Sequence, residues 1–267
     1  MRPLHHHIIV YDQDCPMCQL YTRAFIQTGL LDSDGRVAYH SAPANITRCI
    51  DQKRACDEIA LVNTQTGTVD YGIDSLFKII GHRFRVFQPL FQSTAFRYVI
   101  NHLYKFVSYN RKVIAPGKVF EAPGSCTPSL NIPYRMAYLF LTWLFTSWVL
   151  TIYASRLAGV IPPTDLGREF LICGGQLIFQ GTLVGFLRRD RLIHYLGNLM
   201  TVSTIGALLL LPVSFLPVGL PILLGWFACV VGTMFILHLK RVHLLNLPLA
   251  VSVSWVVYRL LALVMIL

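Results

Sequence analysis

The sequence is short of charge. Asp, Glu, Lys and Arg make up 13% of its 267 residues, against about 25% in a soluble globular chain. Acid is scarcer still, with 13 Asp and Glu facing 23 Lys and Arg. That shortage, together with 54% hydrophobic residues and a mean hydropathy of +0.54, excludes a disordered protein, a fibrous repeat and a wholly soluble enzyme. The opening residues also lack an apolar run long enough for a cleavable signal. Ile8-Ile9-Val10-Tyr11 stops at Asp12, whereas a secretory segment needs roughly 7–15 apolar residues. The first half is therefore expected to be made and kept in the cytoplasm. No dense Lys/Arg stripe with interleaved aromatics is found, which argues against a nucleic-acid partner.

The few charges are unevenly placed. Residues 1–133 carry 14 Lys and Arg and 10 Asp and Glu; residues 134–267 carry 9 and 3. In the second half the charges cluster between apolar runs at about 134–155, 169–187, 192–215, 218–238 and 246–267. Each run is long enough to cross a hydrocarbon core about 30 Å thick. A buried helical core would need a charged outer face, and these runs have almost none. Arg111, Lys112, Lys118 and Arg135 precede the first run, Arg188, Arg189 and Arg191 follow the second, and Lys240 and Arg241 follow the fourth. With five spans the basic connections share one side, so the N-terminal domain is expected in the cytoplasm and the C-terminus outside. Arg259, inside the last run, is the one awkward charge, either functional or the mark of a shorter or displaced span. Gln176 and Gln180, four residues apart, are expected to bond a neighbouring helix.

In the first half, His7–Asp12 reads as a buried strand. A helix follows from Cys15 to about Gly29, with Pro16 at its first position, where the missing N–H costs nothing. Val37–His40 is a second strand and residues 43–57 hold a short helix. Glu58–Asn63 and Thr68–Tyr71 flank a turn, giving a hairpin. Asp74 caps a helix over Ser75–Ile80 that Gly81 closes, and an aromatic-rich helix runs from about Pro89 to Tyr109. This order is that expected of a thioredoxin-like α/β domain, residues 1–115. Six Pro and Gly residues between 116 and 133 mark a linker, and residues 134–267 form an all-α transmembrane domain of about five helices.

Seven cysteines, an odd number, stand at 15, 18, 49, 56, 126, 173 and 229. In a cytoplasm-facing chain they do not make a disulfide scaffold. Cys49 and Cys56 are expected to be ordinary thiols and Cys126 an exposed linker residue. Cys173 and Cys229 serve as small apolar residues within spans. Only Cys15-Pro16-Met17-Cys18 has a spacing that carries chemistry. A thiol at a helix start is favoured as thiolate by unpaired N–H groups and the helix dipole, so Cys15 is the expected nucleophile. Cys18, about one turn on, resolves the mixed disulfide. The neighbouring Asp14 should make Cys15 less acidic. Asp12, at the strand end, either caps the loop or relays a proton to or from Cys18. Zinc is the rival reading, but a structural site needs four ligands. No second C-x-x-C supplies them, and His5–His7 read as the polar edge of the first strand. Neither a metal nor a dissociable cofactor is expected.

Asp12-Gln13-Asp14-Cys15-Pro16-Met17-Cys18 after an apolar strand resembles the signature of the DCC family (DUF393), thiol-disulfide-oxidoreductase-like proteins named for D-x-x-C-x-x-C. Gly72-Ile73-Asp74-Ser75-Leu76 resembles that family's Gly-x-Asp-Ala-Leu helix start, and Tyr109-Asn110-Arg111 its closing Asn-Arg. Gln13 departs from the family's usual Gly, and no Pro precedes the 58–63 strand. The likeness covers residues 7–115 and leaves the membrane part unmatched. It implies thiol–disulfide exchange at Cys15 and Cys18 with a protein or small-molecule thiol partner, and it names no substrate. The alternative is a membrane transporter or scaffold with a redox-sensing or binding N-terminal domain.

Overall fold

The computed structural model describes residues 3–117 and 126–267, so part of the expected 116–133 linker lies outside the described residues. The chain divides into two compact units, Met1–Tyr134 and Arg135–Leu267.

The first unit is built on a small mixed sheet. Its strands are β1 His7–Tyr11, β2 Arg36–Ala38, β3 Ala60–Asn63 and β4 Val69–Tyr71, in the order β2-β1-β3-β4. β1 runs parallel to β2 and antiparallel to β3, while β3 and β4 form the expected hairpin. β1 and β3 are apolar at their centres, Ile8-Ile9-Val10 and Ala60-Leu61-Val62, because both faces are covered there. Ile9 pairs with Leu61 in one core cluster, and Val10 with Ala60 in the other. The helices of this unit are α1 Pro16–Gln27, α2 Ala44–Thr47, α3 Gln52–Asp57, α4 Ile73–Arg83, α5 Gln88–Gln92 and α6 Thr94–Ile114.

Several helix boundaries differ from expectation. Gly72, not Asp74, is the N-cap of α4; its φ of 60° turns the chain straight from β4 into the helix. Asp74 instead lies in the first turn and pairs with Arg97, and Gly81 is internal because α4 continues to Arg83. The long helix breaks at Ser93 and then runs on to Ile114 rather than ending at Tyr109. The extra turn places Arg111 and Lys112 inside the fold.

The second unit is all helical: α7 Ile132–Ser155 (its first turn belongs to the first unit), α8 Leu166–Leu187, α9 Leu192–Ser214, α10 Leu220–Leu244 and α11 Ala250–Ile266. Four of these are long and apolar enough to cross a membrane, α9 being counted from Arg189. The fifth expected run forms the shortest of these helices. α11 has 17 residues, which at 1.5 Å per residue is about 25 Å, at the short end of what crosses a bilayer core. Arg259 lies in this shorter helix, its guanidinium 4.8 Å from the Trp255 ring centre. Close approach to α8 uses glycine: a Cβ on Gly174 would stand 2.4 Å from the Trp143 ring. Gln180 joins three helices, donating to Ser254 Oγ (3.1 Å) and accepting from Tyr195 (2.8 Å). Gln176 does not behave likewise; its Nε2 is buried without a hydrogen-bond partner. Cys173 and Cys229 are free thiols.

Candidate functional site

Cys15 ends the loop leaving β1 and is the N-cap of α1, with extended backbone (φ −95°, ψ 110°) and no side-chain cap of its own. Pro16 holds the first helical position. Central strand, short loop and helix start thus set the two thiols near the middle of the sheet. Both are free and both are buried: Cys15 has no exposed surface and Cys18 is 7% exposed.

The Cys15 thiol is held down at about 6 from an ordinary value of 9.0, first by the Cys18 thiol donating to its sulfur. The Cys18 N–H and the Arg111 guanidinium add to this; burial and the Asp12 carboxylate oppose it. Cys18 is pushed well up, because it is the donor in that bond and is itself buried. The pair therefore divides into one thiolate and one retained proton, the asymmetry that exchange chemistry needs. Tyr21, four-fifths of a turn from Cys18 along α1, donates to its sulfur at 3.7 Å.

Asp12 is buried and caps the loop, its Oδ1 accepting the N–H of Asp14 at 2.9 Å. Its Oδ2 lies 3.3 Å from Lys112 Nζ and 3.6 Å from Arg111 Nη2. One carboxylate thus faces two buried cations, and that surplus of positive charge favours a thiolate nearby. The expected influence of Asp14 on Cys15 belongs to Asp12; Asp14 contributes its backbone to the loop.

Arg111 is expected as a basic residue before the first span and as the end of the closing Asn-Arg stretch. Its side chain instead reaches across the fold, donating from Nη2 to the carbonyls of Cys56 (2.7 Å) and Cys126 (3.2 Å) and from Nη1 to Ser108 Oγ (3.2 Å). Lys112, Arg135 and Arg241 are buried as well. Of the basic residues expected to mark one membrane side, Arg188, Arg189, Arg191 and Lys240 remain as loop or helix-end charges at the surface or partly covered.

Cys56 and Cys126 form a disulfide across a separation of 70 residues. This corrects both expectations: Cys56 is not an ordinary thiol, and Cys126 is buried rather than exposed. The pairing follows from local geometry. The end of α3 and the segment after residue 125 meet where the Ser129 N–H donates to Asp57 Oδ1 at 2.6 Å and Arg111 holds both half-cystine carbonyls. Cys49 is exposed and free.

A cavity of about 290 Å³ opens beside the pair, lined by Cys18, Tyr21, Phe25, Ile59, Tyr104 and Arg111 among others. Tyr104 is fixed there by accepting the Ile59 N–H at 2.9 Å. Cys15 does not line this cavity. Its loop is covered by Gly117, where an added Cβ would stand 2.2 Å from the Asp14 carbonyl oxygen. Among the described residues no group of three or more His, Cys, Asp or Glu is placed to hold a metal ion.

No family model, no curated protein and no solved structure matches this chain.

Proposed function

We propose that this protein is a membrane-anchored thiol–disulfide oxidoreductase with a thioredoxin-like N-terminal domain of the DCC kind. The observation that carries the reading is the buried Cys15–Cys18 dithiol at the start of α1, with the Cys18 thiol and Arg111 both favouring charge on Cys15. The sheet order β2-β1-β3-β4, with the dithiol following β1, supports the domain assignment. Four helices of spanning length support the membrane anchor. The basic residues at 188–191 and Lys240 support a cytoplasmic N-terminal unit.

In the proposed cycle the Cys15 thiolate attacks a substrate disulfide. A mixed disulfide forms and one substrate sulfur leaves as thiolate. Cys18 then gives up its proton to that leaving thiolate and attacks the Cys15 sulfur, which expels the second substrate thiol. Two electrons pass to the substrate, and Cys15 and Cys18 end as a disulfide that a dithiol donor re-reduces. Sulfur alone carries the chemistry. The largely apolar cavity beside Cys18 suits an uncharged or weakly polar group on the substrate, and Arg111 at its wall suits a carbonyl or carboxylate. Attack through Cys15 requires the cover around Gly117 to yield.

The test is a pair of single substitutions assayed with a model disulfide. Cys15→Ser should abolish exchange, and Cys18→Ser should accumulate a mixed disulfide. Full activity in both variants would reject the reading.

A further inference from the structure

The Cys56–Cys126 disulfide is tied to the candidate site by one side chain. Arg111 Nη2 bonds the carbonyls of both half-cystines, and the same nitrogen lies 3.6 Å from Asp12 Oδ2, an oxygen with no hydrogen-bond partner. Asp12 in turn holds the loop that presents Cys15. The two half-cystines differ in exposure, Cys126 being buried and Cys56 partly exposed. A disulfide in a reducing compartment does not persist as a passive staple; those found there are transient, catalytic or sensing.

We propose that Cys56–Cys126 is a second thiol-exchange site, opened by a dithiol reductant, and that Arg111 conveys its state to the Cys15–Cys18 pair. This rests on the cytoplasmic placement and on the dithiol reading of the first pair. A thiolate of the reductant attacks Cys56, the more exposed residue of the two, and the Cys56–Cys126 bond breaks with Cys126 leaving as thiolate. The reductant's second thiol then displaces Cys56 and departs as a disulfide. Its two electrons and two protons end on Cys56 and Cys126. Once the covalent link is gone, the Cys126 carbonyl is no longer pinned beside Cys56. Arg111 loses an acceptor that fixes it, and its positive charge is held less firmly beside Asp12 and the Cys15 loop. Arg111 acts here as a positioning residue between two sulfur sites.

The experiment uses the full chain in lipid nanodiscs, poised with graded dithiothreitol. Each cysteine is read by differential alkylation and peptide mass spectrometry. The expected result is that Cys56–Cys126 opens in the folded chain. The alkylation rate of Cys15 should then fall by about threefold or more, the scale expected when one charged partner of a thiolate is displaced. Arg111→Lys, which keeps the charge but loses the planar guanidinium fork that spans Ser108 and both carbonyls, should make the Cys15 rate insensitive to that opening. A pair that yields only on denaturation overturns the exchange site, and an unchanged Cys15 rate overturns the coupling. Both readings are of thiol reactivity rather than turnover, so they stand apart from the substitution test of the first pair.

Discussion

The surroundings of Cys15–Cys18 and those of Cys56–Cys126 are two solutions to burying sulfur in one domain. The first pair is three residues apart, free, and set among Asp12, Arg111 and Lys112, whose charges do not cancel. The second is 70 residues apart, bonded, and clamped through its backbone carbonyls. In the first region charge acts on the sulfur; in the second a charge is used to hold the chain. The same guanidinium serves both. A side chain placed between two sites in this way makes each sensitive to the other, and substitutions on either side separate reactivity from stability.

The largest expected effect is on the first side. Asp12→Ala removes the carboxylate facing two buried cations, and uncompensated buried charge costs roughly 3–5 kcal/mol. Urea unfolding of the full chain should show that loss; a change below about 1 kcal/mol would mean that water already reaches Arg111 and Lys112. Next, Cys56→Ser with Cys126→Ser should lower stability by about 2–4 kcal/mol, the usual range for a disulfide closing a long loop. Cys15 must remain alkylatable in that variant. A loss of Cys15 labelling together with the fold would show that the two regions cannot be separated. Smaller still, Tyr104→Phe leaves the Ile59 N–H without its acceptor beside the cavity and should cost about 1–2 kcal/mol. Last, Cys173→Ala with Cys229→Ala should leave thiol exchange unchanged, since no sulfur partners either. Loss of turnover there would move the chemistry into the helical unit.

How much of this could be read from the sequence depended on how local each feature is. Strand, Pro16 and C-x-x-C lie within a dozen residues, so spacing alone located the dithiol and the start of α1. The partners of Asp12 come from the last turn of α6, about a hundred residues on, and no periodicity links them. The Tyr109-Asn110-Arg111 stretch looked like a helix end, yet Asn110 is buried and bonds the Phe106 and Tyr134 carbonyls, so the helix continues past it. Arg111 and Lys112 were then read as loop charges when they are core residues. The disulfide had no spacing signature at all. The apolar runs fared better because length and composition define them. All five appear as helices, and α11, which contains Arg259, is the shortest. Glycine was informative only where geometry demanded it. Gly72 needs its positive φ, and Gly117 needs to pack on the Asp14 carbonyl.

In the proposed chemistry Cys15 is the charged member of an asymmetric dithiol. The most direct measurement is the pH dependence of Cys15 alkylation in the reduced full chain, with Cys18 followed in parallel. A thiol depressed in the folded state is thiolate above its own pKa, so the Cys15 rate should rise through about pH 6 and be level by pH 8. For the same reason the reduced fold should gain stability as pH rises from about 6 toward the ordinary thiol value near 9, and lose that gain as pH falls back through 6. Cys18 should remain unlabelled across this range. A Cys15 rate that still climbs between pH 8 and 9, Cys18 labelled first, or a dithiol found to hold stoichiometric zinc would each contradict the account.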